Sequence, residues 1–234
     1  MRERLATHDW AAVESALNTY GHAELGGLLT PRECQELRGL YSEPEHFRSF
    51  VDLAGHGYGD RGDYRYFARP LPSLVDTLRT HLYARLAPIA NHWWQTLGRE
   101  AIFARGIRPF LALCRQHGQE RPTPLVLRYR EGGYNCLHQD LYGEIAFPLQ
   151  VAISLSRPGE DFTGGEFLLT EQRPRMQSRG EAIPIGLGCA LIFANRERPV
   201  QGRRGPYAVQ TRHGVSRIRS GERYTLGLIF HDAR

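Results

Sequence analysis

The chain has 234 residues, 41% of them hydrophobic and 24% charged, with a formal net charge of +5 and a sequence pI of about 9.2. This balance suits a globular protein of one large domain or two small ones. No apolar run approaches the ~18–20 residues needed to span a bilayer. The opening stretch MRERLATHDW lacks the apolar segment of a secretory leader, so a cytoplasmic protein with no membrane partner is expected. All 30 basic residues are arginine, which excludes lysine-based chemistry such as a Schiff base. Cys34, Cys114, Cys136 and Cys189 show no paired spacing and read as reduced thiols.

In chain order, residues 9–19 read as a helix capped by Thr7 or Asp9, and 21–29 as a strand. Thr30-Pro31-Arg32-Glu33 is a capping box with proline at the first helical position, so a helix is predicted over about 31–41. The Gly- and Asp-rich stretch 52–63 predicts a loop, and Tyr64–Phe67 a strand. Residues 72–97 carry a helical pattern that Pro88 is expected to kink or break, with Trp93 and Trp94 as core. A further helix is expected over 107–117, starting near Pro109, and Gln119–Pro124 is a short linker.

From Leu125 the hydrophobic period becomes two. Strands are predicted at 125–130, 134–140, 147–155, 165–170, 182–185, 188–193, 212–218 and 223–230. Eight short strands with Gly and Pro between them predict an α+β fold: a double-stranded β-helix, or jelly roll, backed by N-terminal helices. The expected organisation is a single domain over 1–234. In it, residues 1–120 form a mainly helical support with two extending strands, and 121–234 the jelly-roll core.

The segment Pro124–Asp140, PLVLRYREGGYNCLHQD, reads as a strand, a turn at Gly132–Gly133, and a second strand ending in His138-Gln139-Asp140. Strand side chains alternate faces, so His138 and Asp140 aim an imidazole and a carboxylate the same way. Those are two ligands of a 2-His-1-carboxylate set, which leaves open positions on Fe(II). About one His-x-acid is expected by chance in such a chain, and His22-Ala23-Glu24 is such a decoy. Two residues further down the chain give the pair its meaning: His213 lies 75 residues after His138, and Arg223 ten residues after His213. Arg223 opens a strand that puts Thr225 and Gly227 on its own face and Tyr224, Leu226, Leu228 and Phe230 on the other. A guanidinium beside a hydroxyl and a missing side chain suits a buried carboxylate.

This order resembles the Fe(II)/2-oxoglutarate-dependent dioxygenases over roughly residues 121–234, through HQD at 138–140, GGEF at 164–167, GCALIF at 188–193, His213 and RYTLGLIF at 223–230. Within that superfamily, RY-x-x-G followed by LHQD (Arg128, Tyr129, Gly132, Leu137–Asp140) looks most like the AlkB-type nucleobase demethylases. The chain is also similar to a bacterial family of uncharacterised oxygenases for which a damaged-DNA role has been proposed. It departs from the demethylase pattern at Leu127, Thr225 and Ile229, where that pattern has Asn, Asn and Arg. The resemblance implies His138, Asp140 and His213 as ligands of Fe(II), 2-oxoglutarate as co-substrate and O₂ as oxidant. It implies Arg223 as partner of the far co-substrate carboxylate and Tyr129 as a second donor to it; Thr225, on the strand face of Arg223, is a further candidate to bind the co-substrate. The implied reaction is hydroxylation of a C–H bond, including oxidative dealkylation of damaged nucleobases in DNA presented by base flipping.

Two alternatives stand beside that substrate: a protein or small-molecule hydroxylase, and a non-catalytic, cupin-like metal-binding protein. Residues 195–214 read as a long loop. From Asn195 to Arg223 there are eight arginines (196, 198, 203, 204, 212, 217, 219 and 223) against Glu197 and Glu222, which makes 196–219 a candidate nucleic-acid face.

Overall fold

The computed structural model describes residues 1–57 and 59–234. Its helices are α1 (Arg2–Ala6), α2 (Trp10–Tyr20), α3 (Pro31–Gly39), α4 (Ser73–Thr96) and α5 (Ile107–Gln116). Asp9 caps α2 by accepting from the Ala11 and Ala12 amides, and Gly21 ends it in the left-handed conformation. The capping box forms as expected: Thr30 accepts from the Glu33 amide, while the Glu33 carboxylate takes the Thr30 amide at 2.8 Å. Arg4 doubles the anchor with an ion pair to Glu33.

The helix expected to kink or break at Pro88 does not break there, running from Ser73 to Thr96 with Pro88 inside it. Proline costs about 3 kcal/mol inside a helix. Leu82, Tyr83, Leu86, Ile89 and Trp93 are buried on both sides of it, each contributing roughly 1.5–3 kcal/mol, so packing outweighs the lost bond. Arg79, fully withdrawn from solvent, ties α4 to the end of the sheet through the Ile229 and Phe230 carbonyls and the Asp232 carboxylate.

Among the described residues the named strands pair antiparallel. One layer runs in the order β1 (His22–Leu25), β9 (Ala190–Ala194), β5 (Leu149–Ser154), β12 (Ile218–Leu228), the first half of β4 (Leu125–His138), β3 (Gly59–Phe67) and β2 (Phe47–Asp52). The second half of β4 crosses to the other layer and pairs with β11 (Gly205–Val215), followed by β7 (Phe167–Gln172) and β8 (Arg179–Ile183). β6 (Phe162–Gly164) pairs with the start of β12 and joins the two layers at one end. The architecture is the expected jelly roll, an antiparallel sandwich backed by helices. The main core lies between the helices and the first layer, where Val126, Leu226, Leu228 and Phe230 meet Leu78, Leu82, Tyr83 and Leu86. The other face of the same strands lines the space between the layers, the alternation that period-two patterning encodes.

Four expectations are corrected. Gly132–Gly133 is no turn: β4 continues through it, with Gly132 at φ 86°, because β3 lies alongside both halves of the strand. Residues 59–63, read as loop, belong to β3, where Asp63 pairs with Arg128 and Arg130; residue 58 lies outside the described residues. The 21–29 strand is shortened to His22–Leu25. The expected loop 195–214 is largely a hairpin of β10 (Glu197–Gly202) and β11, closed around residues 203–204.

Candidate active site

The site is built where β4 and β11 meet. His138, the last residue of β4, is the cross-strand partner of His213, and their ring centroids are 4.3 Å apart. The Cys136 carbonyl accepts from His138 Nδ1 at 2.7 Å, which turns Nε2 towards Asp140. His213 is held between Phe167 and Phe193, with its Nε2 3.3 Å from Asp140 Oδ2.

Asp140 is not on the strand. β4 stops at His138, so alternation alone does not aim the carboxylate. Asn195, at the end of β9, does so from 55 residues away: its Oδ1 accepts from the Asp140 amide at 2.9 Å and its Nδ2 donates to the Asp140 carbonyl at 2.6 Å. One donor atom from each of His138, Asp140 and His213 lies within 4.8 Å of the others. Burial opposes charge on the Asp140 carboxyl, but the His213 hydrogen bond and the two imidazoles hold it well below the usual carboxylate range. Burial pushes His213 down despite Asp140. Together these give an anionic oxygen and an uncharged imidazole at neutral pH, the forms that bind a divalent cation.

These residues border a cavity of about 420 Å³ between the layers, which also reaches Arg223, Thr225, Tyr129 and Gln150. Arg223 is 2% exposed and stands in register with Tyr129, its guanidinium 5.7 Å from the Tyr129 ring centre and 5.9 Å from that of Phe162. Among the described residues no carboxylate comes within ion-pair distance of it, and burial lowers its pKa, with Tyr129 and Glu166 opposing that from a distance. The Thr225 hydroxyl and the Gln150 amide nitrogen are likewise buried without a hydrogen-bond partner among the described residues. Tyr129 accepts at its hydroxyl from Asn135 Nδ2 at 3.3 Å, and burial pushes it up to about 12. The GGEF motif has a steric reason. Gly165, at φ 65°, passes so close that a Cβ there would lie 2.3 Å from Ile218 and 3.1 Å from the Arg223 side chain.

The other histidine candidates stay apart. His22 lies on β1 facing Glu181 at 3.5 Å, away from the cavity. His231 is buried, accepts from the Phe147 amide, and is lowered to about 4 by burial. The arginine-rich stretch is divided by the fold. Arg198 is buried, bonded to Glu171 and to the Asn18 and Thr19 carbonyls, and Arg223 lines the cavity. Arg196, Arg203, Arg204, Arg212, Arg217 and Arg219 are exposed. Arg196 and Arg212 flank Asn195 and His213 in the chain, Arg203 and Arg204 sit at the hairpin tip, and Arg217 and Arg219 lie beside Gly164 at the other end.

Sequence reading did not find Asn195, Gln150, Tyr66 or Tyr142. Tyr142 had a signal, two residues past Asp140; the others are brought in by strand pairing. The Tyr142 hydroxyl donates to Asp140 Oδ1 at 2.7 Å and accepts from Tyr66 at 2.8 Å.

Comparison with known proteins agrees with this picture. The family model Oxygenase-NA, described as an oxygenase catalysing oxidative methylation of damaged DNA, matches residues 62–233. An uncharacterised protein of Mycobacterium tuberculosis is 54% identical over 167 residues, 71% of this chain and 72% of its own. Two solved structures share the fold. A Pseudomonas putida prolyl-4-hydroxylase is 14% identical with a TM-score of 0.54, over 97% of this chain and 100% of that one. A Burkholderia pseudomallei oxidoreductase of the 2OG-Fe(II) oxygenase family is 15% identical with a TM-score of 0.58, over 97% and 93%.

Proposed function

The chain belongs to the Oxygenase-NA family of oxygenases, and from that premise we propose that it is an Fe(II)- and 2-oxoglutarate-dependent dioxygenase acting on damaged nucleobases in DNA. His138, Asp140 and His213 hold the metal in this reading; the fit lies in their donor set, one anionic oxygen and two imidazole nitrogens gathered within 4.8 Å. The observation that carries the co-substrate is Arg223: a buried guanidinium with no carboxylate of its own, opening on the same cavity as the metal set. A dicarboxylate supplies the missing partner, and the unpaired Thr225 hydroxyl supplies a donor beside it.

Iron, 2-oxoglutarate and O₂ together supply the oxidising power for C–H hydroxylation, with succinate and CO₂ as by-products. The chain's own work is positioning. Arg223 and Tyr129 fix one end of the cavity, the triad the other, and Leu125, Leu127 and Ile229 keep the floor between them apolar. A hydroxylated N-methyl group is a hemiaminal, which breaks down to the free amine and formaldehyde.

The nucleic-acid reading is supported by the family description and by exposed Arg196 and Arg212 beside the site. The runner-up, a protein or small-molecule substrate, is favoured by the lining itself: among the described residues Arg223 is its one arginine, and the exposed Leu137 and Leu141 lie beside the metal set. We also read 1–234 as one domain, because β3 pairs with β4 across the expected boundary at 120. The test is succinate formation from 2-oxoglutarate with added Fe(II), with and without methylated oligonucleotides. Formaldehyde release only with the methylated strand supports the reading. Turnover that no oligonucleotide stimulates moves the substrate to the runner-up, and no turnover at all favours a cupin-like binder.

A further inference from the structure

We propose that Tyr142, oriented by Tyr66, is a positioning residue that fixes the rotation of the Asp140 carboxylate towards the metal. This rests on the reading of His138, Asp140 and His213 as the metal set. A carboxylate only accepts, so the 2.7 Å contact requires the Tyr142 proton to point at Oδ1. Tyr142 therefore accepts from Tyr66 at 2.8 Å, and the two-tyrosine chain runs one way, inward to the metal set. Tyr142 thereby fixes the rotation of the carboxylate, with Oδ1 3.7 Å from His138 Nε2 and Oδ2 3.3 Å from His213 Nε2.

The rest of the structure braces this chain. The Tyr66 and Tyr142 rings meet edge to face at 6.2 Å and 89°. Arg48 lies 4.5 Å over the Tyr66 ring and is itself tied to the Pro122 carbonyl at 2.9 Å. The loop after Tyr142 is clamped by the buried Gln119 side chain, which bonds the Ile145 amide and carbonyl and the Asp232 carbonyl. Gly143 lies so close that a Cβ there would be 2.3 Å from Gln119. Asn195 fixes the Asp140 backbone and Tyr142 fixes its carboxylate, so neither the position nor the rotation of the ligand is left free. The consequence is chemical. A carboxylate bound through both oxygens fills one of the positions that a facial set keeps open for co-substrate and oxidant. A donor on Oδ1 disfavours that mode.

The test is Co(II) binding to the metal-free full chain, followed by its visible absorption without co-substrate. Tyr142→Phe should weaken Co(II) binding about 10- to 100-fold, the range seen when hydrogen-bond partners of metal ligands are removed, and should alter the absorption spectrum. Tyr66→Phe should cause a smaller loss in the same direction, and should add nothing in a Tyr142→Phe background. If Tyr142→Phe does not fold, Tyr66→Phe carries the test, since it keeps the Tyr142 hydroxyl and loses only its orienting donor. Variants that melt earlier but keep Co(II) affinity within about twofold of wild type, with an unchanged spectrum, overturn the proposal and leave the tyrosines a packing role. A wild-type chain that binds no Co(II) overturns the metal reading as well.

Discussion

Arg223→Met tests the co-substrate anchor with two readouts of opposite sign. The guanidinium is 2% exposed, so water screens its charge little, and among the described residues no carboxylate forms an ion pair with it, Glu166 acting on it only from a distance. In the proposed function that attraction is directed at a ligand. Removing one partner of a buried charge pair costs about 2–5 kcal/mol. At about 1.4 kcal/mol per tenfold, that weakens 2-oxoglutarate binding by about 30- to several-thousand-fold. Without ligand the same arginine is a buried, unpaired cation, a destabilising arrangement. Met fills the space without the charge, so the variant should melt at or above the wild-type temperature. The assay is calorimetric titration of 2-oxoglutarate into the Mn(II)-loaded chain, with thermal melts of the metal-free chain. Co-substrate affinity within about threefold of wild type refutes the assignment and points to another arginine, such as Arg217 or Arg219. A variant that loses several kcal/mol of stability shows that Arg223 is structural.

His213→Ala should abolish Fe(II)-dependent succinate formation, since it removes one of the three proposed ligands; retained turnover reopens His231 as a candidate. Replacing Arg203, Arg204 and Arg212 together should flatten the salt dependence of oligonucleotide affinity by up to about three in log–log slope, and negligible binding by the wild type at low salt removes the nucleic-acid reading. His231 is uncharged in the fold, with its pKa lowered from 6.5 to about 4, while the unfolded chain takes up a proton below 6.5. Its contribution is thus present above pH 6.5 and lost as pH falls towards 4, by about 3 kcal/mol in all. Urea melts between pH 7 and 4.5 should fall more steeply for wild type than for His231→Asn; parallel curves contradict this.

Much of the chemistry was legible in the chain because it is carried by local order. His138 and Asp140 are two residues apart, and Arg223, Thr225 and Gly227 share one face of a strand, as alternation requires. The apolar set Tyr224, Leu226, Leu228 and Phe230 faces the helices for the same reason. Periodicity tells which way a side chain points, but it does not tell what stands opposite. Asp140 falls past the strand end and is aimed by Asn195 across 55 residues, and Tyr66 reaches Tyr142 across 76. The arginine-rich stretch reads as one basic run, yet hairpin formation buries Arg198 against Glu171 and sends the exposed arginines to different ends. Gly132 and Pro88 are turn and break signals that neighbouring strands and a buried helix face override. Local propensities are worth about 1–3 kcal/mol each, and tertiary burial around them is worth more. The order of the proposed ligands was thus decided in the sequence, and the groups that hold those residues in place only by the pairing of distant strands.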